Sequence, residues 1–293
     1  MRLTTSVFLA ALCALTSCQD TAYAPYPREL VPGTVRHYSC RLLRAKKEMK
    51  EQILKMDGLI DEVEWKTAPW SEPFIDIEGS SKPTPRYATW MKMLWDKEYL
   101  YIAAHIEEPD LWATMDKRDM VVFHENDFEI FIDPQYQIFT GPEANKQSYY
   151  ELEFNVIGTL FDLYLTKEYR LGGIAHPEWN CEGIDGQIKK WGTTNNASDT
   201  DKGWTIEVKI PFRCLRPPTT VTNDVTENIR NGDTPLVGDE WRMNFSRVEW
   251  QLEKVGQDYV KKPGTKEDNW VWSPQWTVDM HQLEHWGVVT FTK

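Results

Sequence analysis

Short stretches in which residues alternate between two faces recur along this chain, and several are closed by Pro, Gly, Asn or Asp. In residues 87–95, Tyr87, Thr89, Met91, Met93 and Trp95 face one way, and Ala88, Trp90, Lys92 and Leu94 the other. A period of two is the signature of a strand. Asp96-Lys97-Glu98 reads as a turn and residues 99–106 as the next strand, so the two predict a hairpin. Residues 128–133 (FEIFID) stop at Pro134, residues 149–156 alternate again, and residues 160–165 follow Gly158-Thr159. Residues 204–210 stop at Pro211, and residues 241–250 and 286–292 complete the set. Short strands at close spacing predict an all-β antiparallel sandwich or barrel. Strand and helix do not alternate, which disfavours a doubly wound α/β fold. Two loops are long, residues 169–181 and 216–238, and long loops are where binding tends to sit.

Composition narrows the function. Aromatic residues make up 13% of the chain, including 14 Trp, which excludes intrinsic disorder. The formal charge of −12 repels phosphate backbones, so nucleic acid is not an expected partner.

Residues 1–17 read as a signal peptide, with Arg2 before an apolar run too short to span a bilayer. Leu15-Thr16-Ser17-Cys18 resembles a bacterial lipobox, which implies lipid on Cys18 and a membrane-anchored protein exported to the cell envelope. Residues 18–55 are then a lipidated tether and lead-in, with Pro25, Pro27, Pro32 and Gly33 opposing structure and a short helix or irregular piece over 41–55. Residues 56–293 form the main domain. Cys40, Cys181 and Cys214 can make one disulfide, and the sequence does not choose the pair. The wide spacing and the lack of C-x-x-C argue against structural zinc.

Several residues could carry chemistry. Asp127 and Glu129 are two apart on one strand and so share a face, with Asp133 beyond. Carboxylates side by side suit sugar hydroxyls or a cation better than glycoside cleavage, which needs one acid on each side of the bond. His281-Gln282-Leu283-Glu284-His285 matches an inverted zinc-peptidase pattern but lacks the helix that mechanism needs. Asp199-Thr200-Asp201-Lys202-Gly203 resembles the start of a calcium loop and reads by default as a turn. Trp65, Trp95, Trp204 and Trp286 fall in strand patterns and are expected in the core. Trp270, Trp272 and Trp276 fall in a polar stretch (NWVWSPQWTVD), where rings either stack on a sugar or fold back as a lid.

Taken in order, several segments resemble family 9 carbohydrate-binding modules. They are Asp57-Gly58-Leu59-Ile60-Asp61-Glu62 with Trp65, Leu94-Trp95-Asp96 with Tyr99-Leu100-Tyr101-Ile102-Ala103, and residues 126–134 (NDFEIFIDP). Residues 150–155 (YELEFN) and 203–207 (GWTIE), ending at Ile210-Pro211, follow. Asn244-Phe245-Ser246-Arg247-Val248-Glu249-Trp250 and Asn269-Trp270-Val271-Trp272-Ser273-Pro274 resemble a stand-alone lipoprotein subgroup from polysaccharide-degrading bacteria.

The resemblance implies an antiparallel sandwich of DOMON-like type and non-catalytic binding of a saccharide between two rings, often beside glycoside hydrolases. Glu129 and Asn155 match positions that hydrogen-bond sugar hydroxyls. The sandwich ring before the central strand is Phe123 or His124 here, a family Arg is replaced by Glu153, and the second ring falls near Trp276 or Met280. The expected oligo- or polysaccharide site therefore comprises Phe123, Asp127, Glu129, Glu153, Asn155, Arg247 and Trp276. The sequence makes no cofactor certain and leaves calcium open. The rival readings are a glycoside hydrolase using Asp127 and Glu129, a zinc hydrolase using His281 and His285, and a structural or haem-binding DOMON-class domain using Met280 or His281.

Overall fold

The computed structural model describes residues 23–26, 30–43, 54–134, 147–218 and 232–293. The signal segment, Cys18 and the middle of the 216–238 loop lie outside them.

The described residues form strands β1 (His37–Leu42), β2 (Ile75–Asp76), β3 (Thr89–Trp95), β4 (Tyr99–Ile106) and β5 (Asp127–Asp133). Next come β6 (Tyr149–Asn155), β7 (Leu160–Leu165), β8 (Ala175–His176), β9 (Asp185–Trp191) and β10 (Gly203–Pro211). The last are β11 (Glu240–Glu249), β12 (Leu252–Val255), β13 (Asp258–Lys261), β14 (Asp268–Val271) and β15 (Gly287–Thr292). β12 and β13 make a separate hairpin. The others form one 13-stranded sheet that runs β8-β7-β6-β5-β11-β15-β1-β3-β4-β10-β9, with β14 and β2 branching from β11.

β11 is where the sheet divides. Its first residues pair with β15 and its last, Ser246 to Glu249, pair with β14. One layer is therefore β8-β7-β6-β5-β11-β14-β2 and the other β15-β1-β3-β4-β10-β9. The sandwich expected from the alternation is present, with one refinement: β1 pairs in parallel with both β15 and β3. The lead-in thus supplies a central strand.

Alternation places the core between the layers. Phe128, Ile130 and Ile132 from β5, Leu152 and Phe154 from β6 and Phe245 from β11 meet Met91, Met93, Ile102, Ile206 and Val208 from the facing layer. Trp65, Trp95, Trp204 and Trp286 are all buried, as expected. Trp270 and Trp272 are buried too, 3% and 0% exposed. The stretch expected as a loop opens with β14, which explains why two of its three rings are not at the surface. The Cys181–Cys214 disulfide ties the segment after β8 to the end of β10, and Cys40 is free and buried.

The outer face of the second layer is closed over. Residues 54–70 lay Leu54, Trp65 and Ala68 on Leu94, Tyr101 and Ala103. Glu207, which points outward from β10, accepts hydrogen bonds from Trp65 Nε1 (2.7 Å), Gly58 N (2.9 Å) and Asp57 N (3.1 Å). Gly58 has φ +81° and lies so close to the backbone of Ile188 and Lys189 that a Cβ would stand 2.4 Å from Lys189 N. Further along this face the Tyr23 ring stacks on Trp90 at 4.1 Å, and its hydroxyl meets His105 Nδ1.

Candidate functional site

The outer face of the first layer is different. Asp127 and Glu129 point outward from β5, and Glu151, Glu153 and Asn155 do so from β6. The register sets Glu129 directly opposite Glu153 and Asp127 opposite Asn155, so cross-strand neighbours bring acid against acid. Asp127, Glu129 and Glu153 are each at most 5% exposed, and one oxygen from each lies within 4.8 Å of the others.

Burial pushes Glu129 up to about 7, a rise that Ser246 opposes. Burial and the neighbouring Glu129 carboxyl push Glu151 up to about 8. Asp127 and Glu153 are held well above the usual carboxylate range, again by burial first and by the other acids second. Among the described residues no Lys, Arg or His forms an ion pair with these acids. Asp127 Oδ1 accepts from Val248 N at 3.0 Å, while its Oδ2 is buried without a partner.

Phe123 and Tyr169 flank the acids. Phe123 lies in the 3-10 turn Val122–His124, donates its backbone N–H to Glu153 Oε2 at 3.2 Å, and is 40% exposed. Tyr169, in the 3-10 turn Tyr169–Leu171, is 47% exposed, and burial together with Glu151 and Glu153 raises its phenol to about 12. Its ring packs edge-on against His281 at 4.6 Å, and His281 in turn meets the hydroxyl of Tyr149, two residues before Glu151 on the same face of β6. Tyr169 is a residue the strand pattern could not select; its only sequence signal is its place at the start of a long loop.

Further from the acids, the 275–286 segment folds onto this face. Met280, Leu283 and Trp286 pack on Phe131, Tyr149 and Val271. Trp276 is half-buried, at φ +64°, and its backbone N–H donates to Ile77 O. Its ring lies flush against Gly79, where a Cβ would meet it at 2.4 Å. Phe123 is thus tied to β6 and Trp276 to the end of β2, on the other side of β5, β11 and β14. Trp276 Nε1 and Gln275 Oε1 are buried without partners.

Two of the expected residues are engaged elsewhere. Asn155 is 0% exposed; its Nδ2 donates to Met115 O and Glu125 Oε2, and its Oδ1 accepts from Ile157 N and Thr159 N. Every polar atom of that amide is used to hold a turn. Arg247 follows Phe245 on the inward side of β11, where it pairs with Glu108 (2.7 Å) and Glu249 (2.8 Å). Its partners Glu108 and Glu249 line a cleft together with Arg86, Tyr87 and Trp250.

The other motifs are structural in the described residues. The Tyr149 hydroxyl meets His281 Nδ1 at 2.7 Å, Glu284 pairs with Arg170, and burial lowers His281 to about 4. Met280 packs in the Phe131–Trp286 cluster. The one group of His, Cys, Asp or Glu close enough to share a metal ion among the described residues is Asp127, Glu129 and Glu153.

A sandwich with exposed rings beside buried acids on one outer face is the build of a binding module. The model of the carbohydrate family 9 binding domain-like family matches residues 56–234, and the chain belongs to that family. The fold is shared with two solved structures of family 9 modules from Caldicellulosiruptor kristjanssonii, one in complex with cellotriose and one with glucose. The first is 13% identical with a TM-score of 0.50, covering 88% of this chain and 94% of that one. The second is 12% identical with a TM-score of 0.51, covering 88% and 96%. A putative carbohydrate-binding protein from Bacteroides uniformis has a TM-score of 0.57 at 12% identity, covering 88% of this chain and 100% of that one. No curated protein matches.

Proposed function

We propose that the protein binds an oligo- or polysaccharide without cleaving it, on the outer face of the first layer. The observation that carries this reading is the flanking of buried acids by the half-exposed rings of Phe123 and Tyr169. A pyranose offers C–H faces to such rings and hydroxyls to Glu129, Glu153 and Asp127. Trp276 sits further along the same layer, where it suits an extended chain better than one ring. The acids stand on neighbouring strands of one floor, whereas glycosidic cleavage needs them on opposite sides of the bond. Stacking worth roughly 1 kcal/mol per ring plus a few hydrogen bonds gives affinities of about micromolar to millimolar. Membership of the family and the saccharides named in the two complexes support the ligand class.

The finer reading is that of a lipoprotein of polysaccharide-degrading bacteria. Acylated at Cys18 and exported to the cell envelope, it holds a glycan for glycoside hydrolases acting nearby. The lipobox residues Leu15 to Cys18 support this. Calorimetric titration against a glycan panel tests the binding. Saturable heat that is lost in Glu129→Gln is the expected result, and no heat with any glycan from a folded protein overturns it.

A further inference from the structure

We propose that Asp127, Glu129 and Glu153, with the Ser246 hydroxyl, form a calcium site in the floor of the saccharide face. Calcium takes oxygen ligands at about 2.4 Å, so two oxygens on one ion stand at most about 4.8 Å apart. One oxygen from each of the three acids satisfies that limit. All three side chains are at least nine-tenths buried, and among the described residues none of them forms an ion pair with a Lys, Arg or His.

Two further atoms point to a bound ion. Asp127 Oδ2 is buried and unpartnered although Oδ1 of the same carboxyl is engaged by Val248 N. Ser246 belongs to a different strand, stands opposite Glu129 in the β5–β11 register, and is 0% exposed. Its hydroxyl oxygen is buried and has no hydrogen-bond partner. A buried hydroxyl left in that state beside three acids is an oxygen ligand waiting for a cation. A cation also answers the electrostatic problem. Like charges crowded in a dry site repel strongly, and a divalent ion turns that repulsion into attraction.

These four residues leave part of a shell of six to eight oxygens unfilled. The ion stands on the acids and Ser246 alone. That its open positions take up saccharide hydroxyls rests on the function proposed above.

The test is titration of the full chain with calcium, and with terbium, whose luminescence is excited through nearby aromatic rings. One ion per chain is expected near neutral pH. Removing even an outer-shell partner of a metal costs about 10–100-fold in affinity, so Asp127→Asn and Glu153→Gln should each weaken calcium by about tenfold or more. Ser246→Ala should weaken it less, and Glu78→Gln, at a half-buried acid paired with Lys82, should not change it. Thermal melts identify any variant that fails to fold, and the two acid variants on separate strands back each other. No bound ion, which would mean that the acids share protons only, overturns the site. So does undiminished binding in both folded acid variants. Glycan titration with and without chelator is read separately. Loss of glycan binding with the ion in place counts against the saccharide reading and leaves the ion site standing.

Discussion

Glu207 and Glu129 are both buried acids that point outward from a strand of the sandwich, and they have opposite surroundings. On the second layer, three N–H groups from residues 57–65 converge on Glu207 and close it off. On the first layer, Glu129 faces Glu153 and Asp127, which are buried with it, with no donor set to match. Both carboxyls are pushed up to about 7, chiefly by burial. The raised value alone therefore does not tell architecture from site. The donor set does: an acid whose oxygens are satisfied holds the fold, and a group of acids left short of donors is kept for something that comes from outside.

This contrast can be broken by mutation, with the largest effect expected at the closed acid. Glu207→Ala strands the Trp65 indole N–H and the Asp57 and Gly58 amides, and should cost about 3–5 kcal/mol in denaturant unfolding. Glu153→Gln, by contrast, relieves like-charge crowding and should leave stability unchanged or raise it by about 1 kcal/mol while removing ligand binding. Equal losses at the two sites would erase the distinction.

Next in size is an acid transition from His281. The groups facing it are Tyr149, Phe131, Tyr169 and Asp279. Its folded value of about 4 is below that of an unfolded His. The folded state therefore binds protons less readily, and stability should fall as pH drops through about 6.5 and level off below about 4, by at most about 3 kcal/mol. His281→Gln should flatten that part of the stability–pH curve. The smallest effects belong to the rings. Phe123→Ala and Tyr169→Ala should each weaken glycan binding about fivefold, roughly 1 kcal/mol, with little change in melting temperature. Unaltered affinity in both would place the saccharide elsewhere on the molecule.

Much of this was readable before the fold was known. Alternation in residues 87–106, 128–133, 149–156 and 204–210 predicts strands β3 to β6 and β10, because burial on one face imposes a period of two. β9 (DGQIKKW) is an edge strand whose polar residues show no such period, and β14 hides in a stretch whose Pro and Ser suggested a loop. Placing Asp127 and Glu129 on one face followed from their spacing, and Glu153 joined them through register, which no single segment encodes. The inward side chain of Arg247 is legible in the alternation. Trp241, Met243 and Phe245 face inward, so a residue two further on must do the same. Tyr169 and the contact of Trp276 with Gly79 depend on loops meeting across the layer, and short-range patterns do not carry that information.

The stacking of Tyr23 on Trp90 bears on how such a protein would stand at a surface. Four residues separate Cys18 from Tyr23, and five extended links span at most about 17 Å. With Cys18 acylated, as proposed, the leash is short and leaves from the β3–β4 side. The face closed by residues 54–70 would then lie toward the lipid, and the acids, on the opposite side of the sandwich, would look away from it toward arriving polymer.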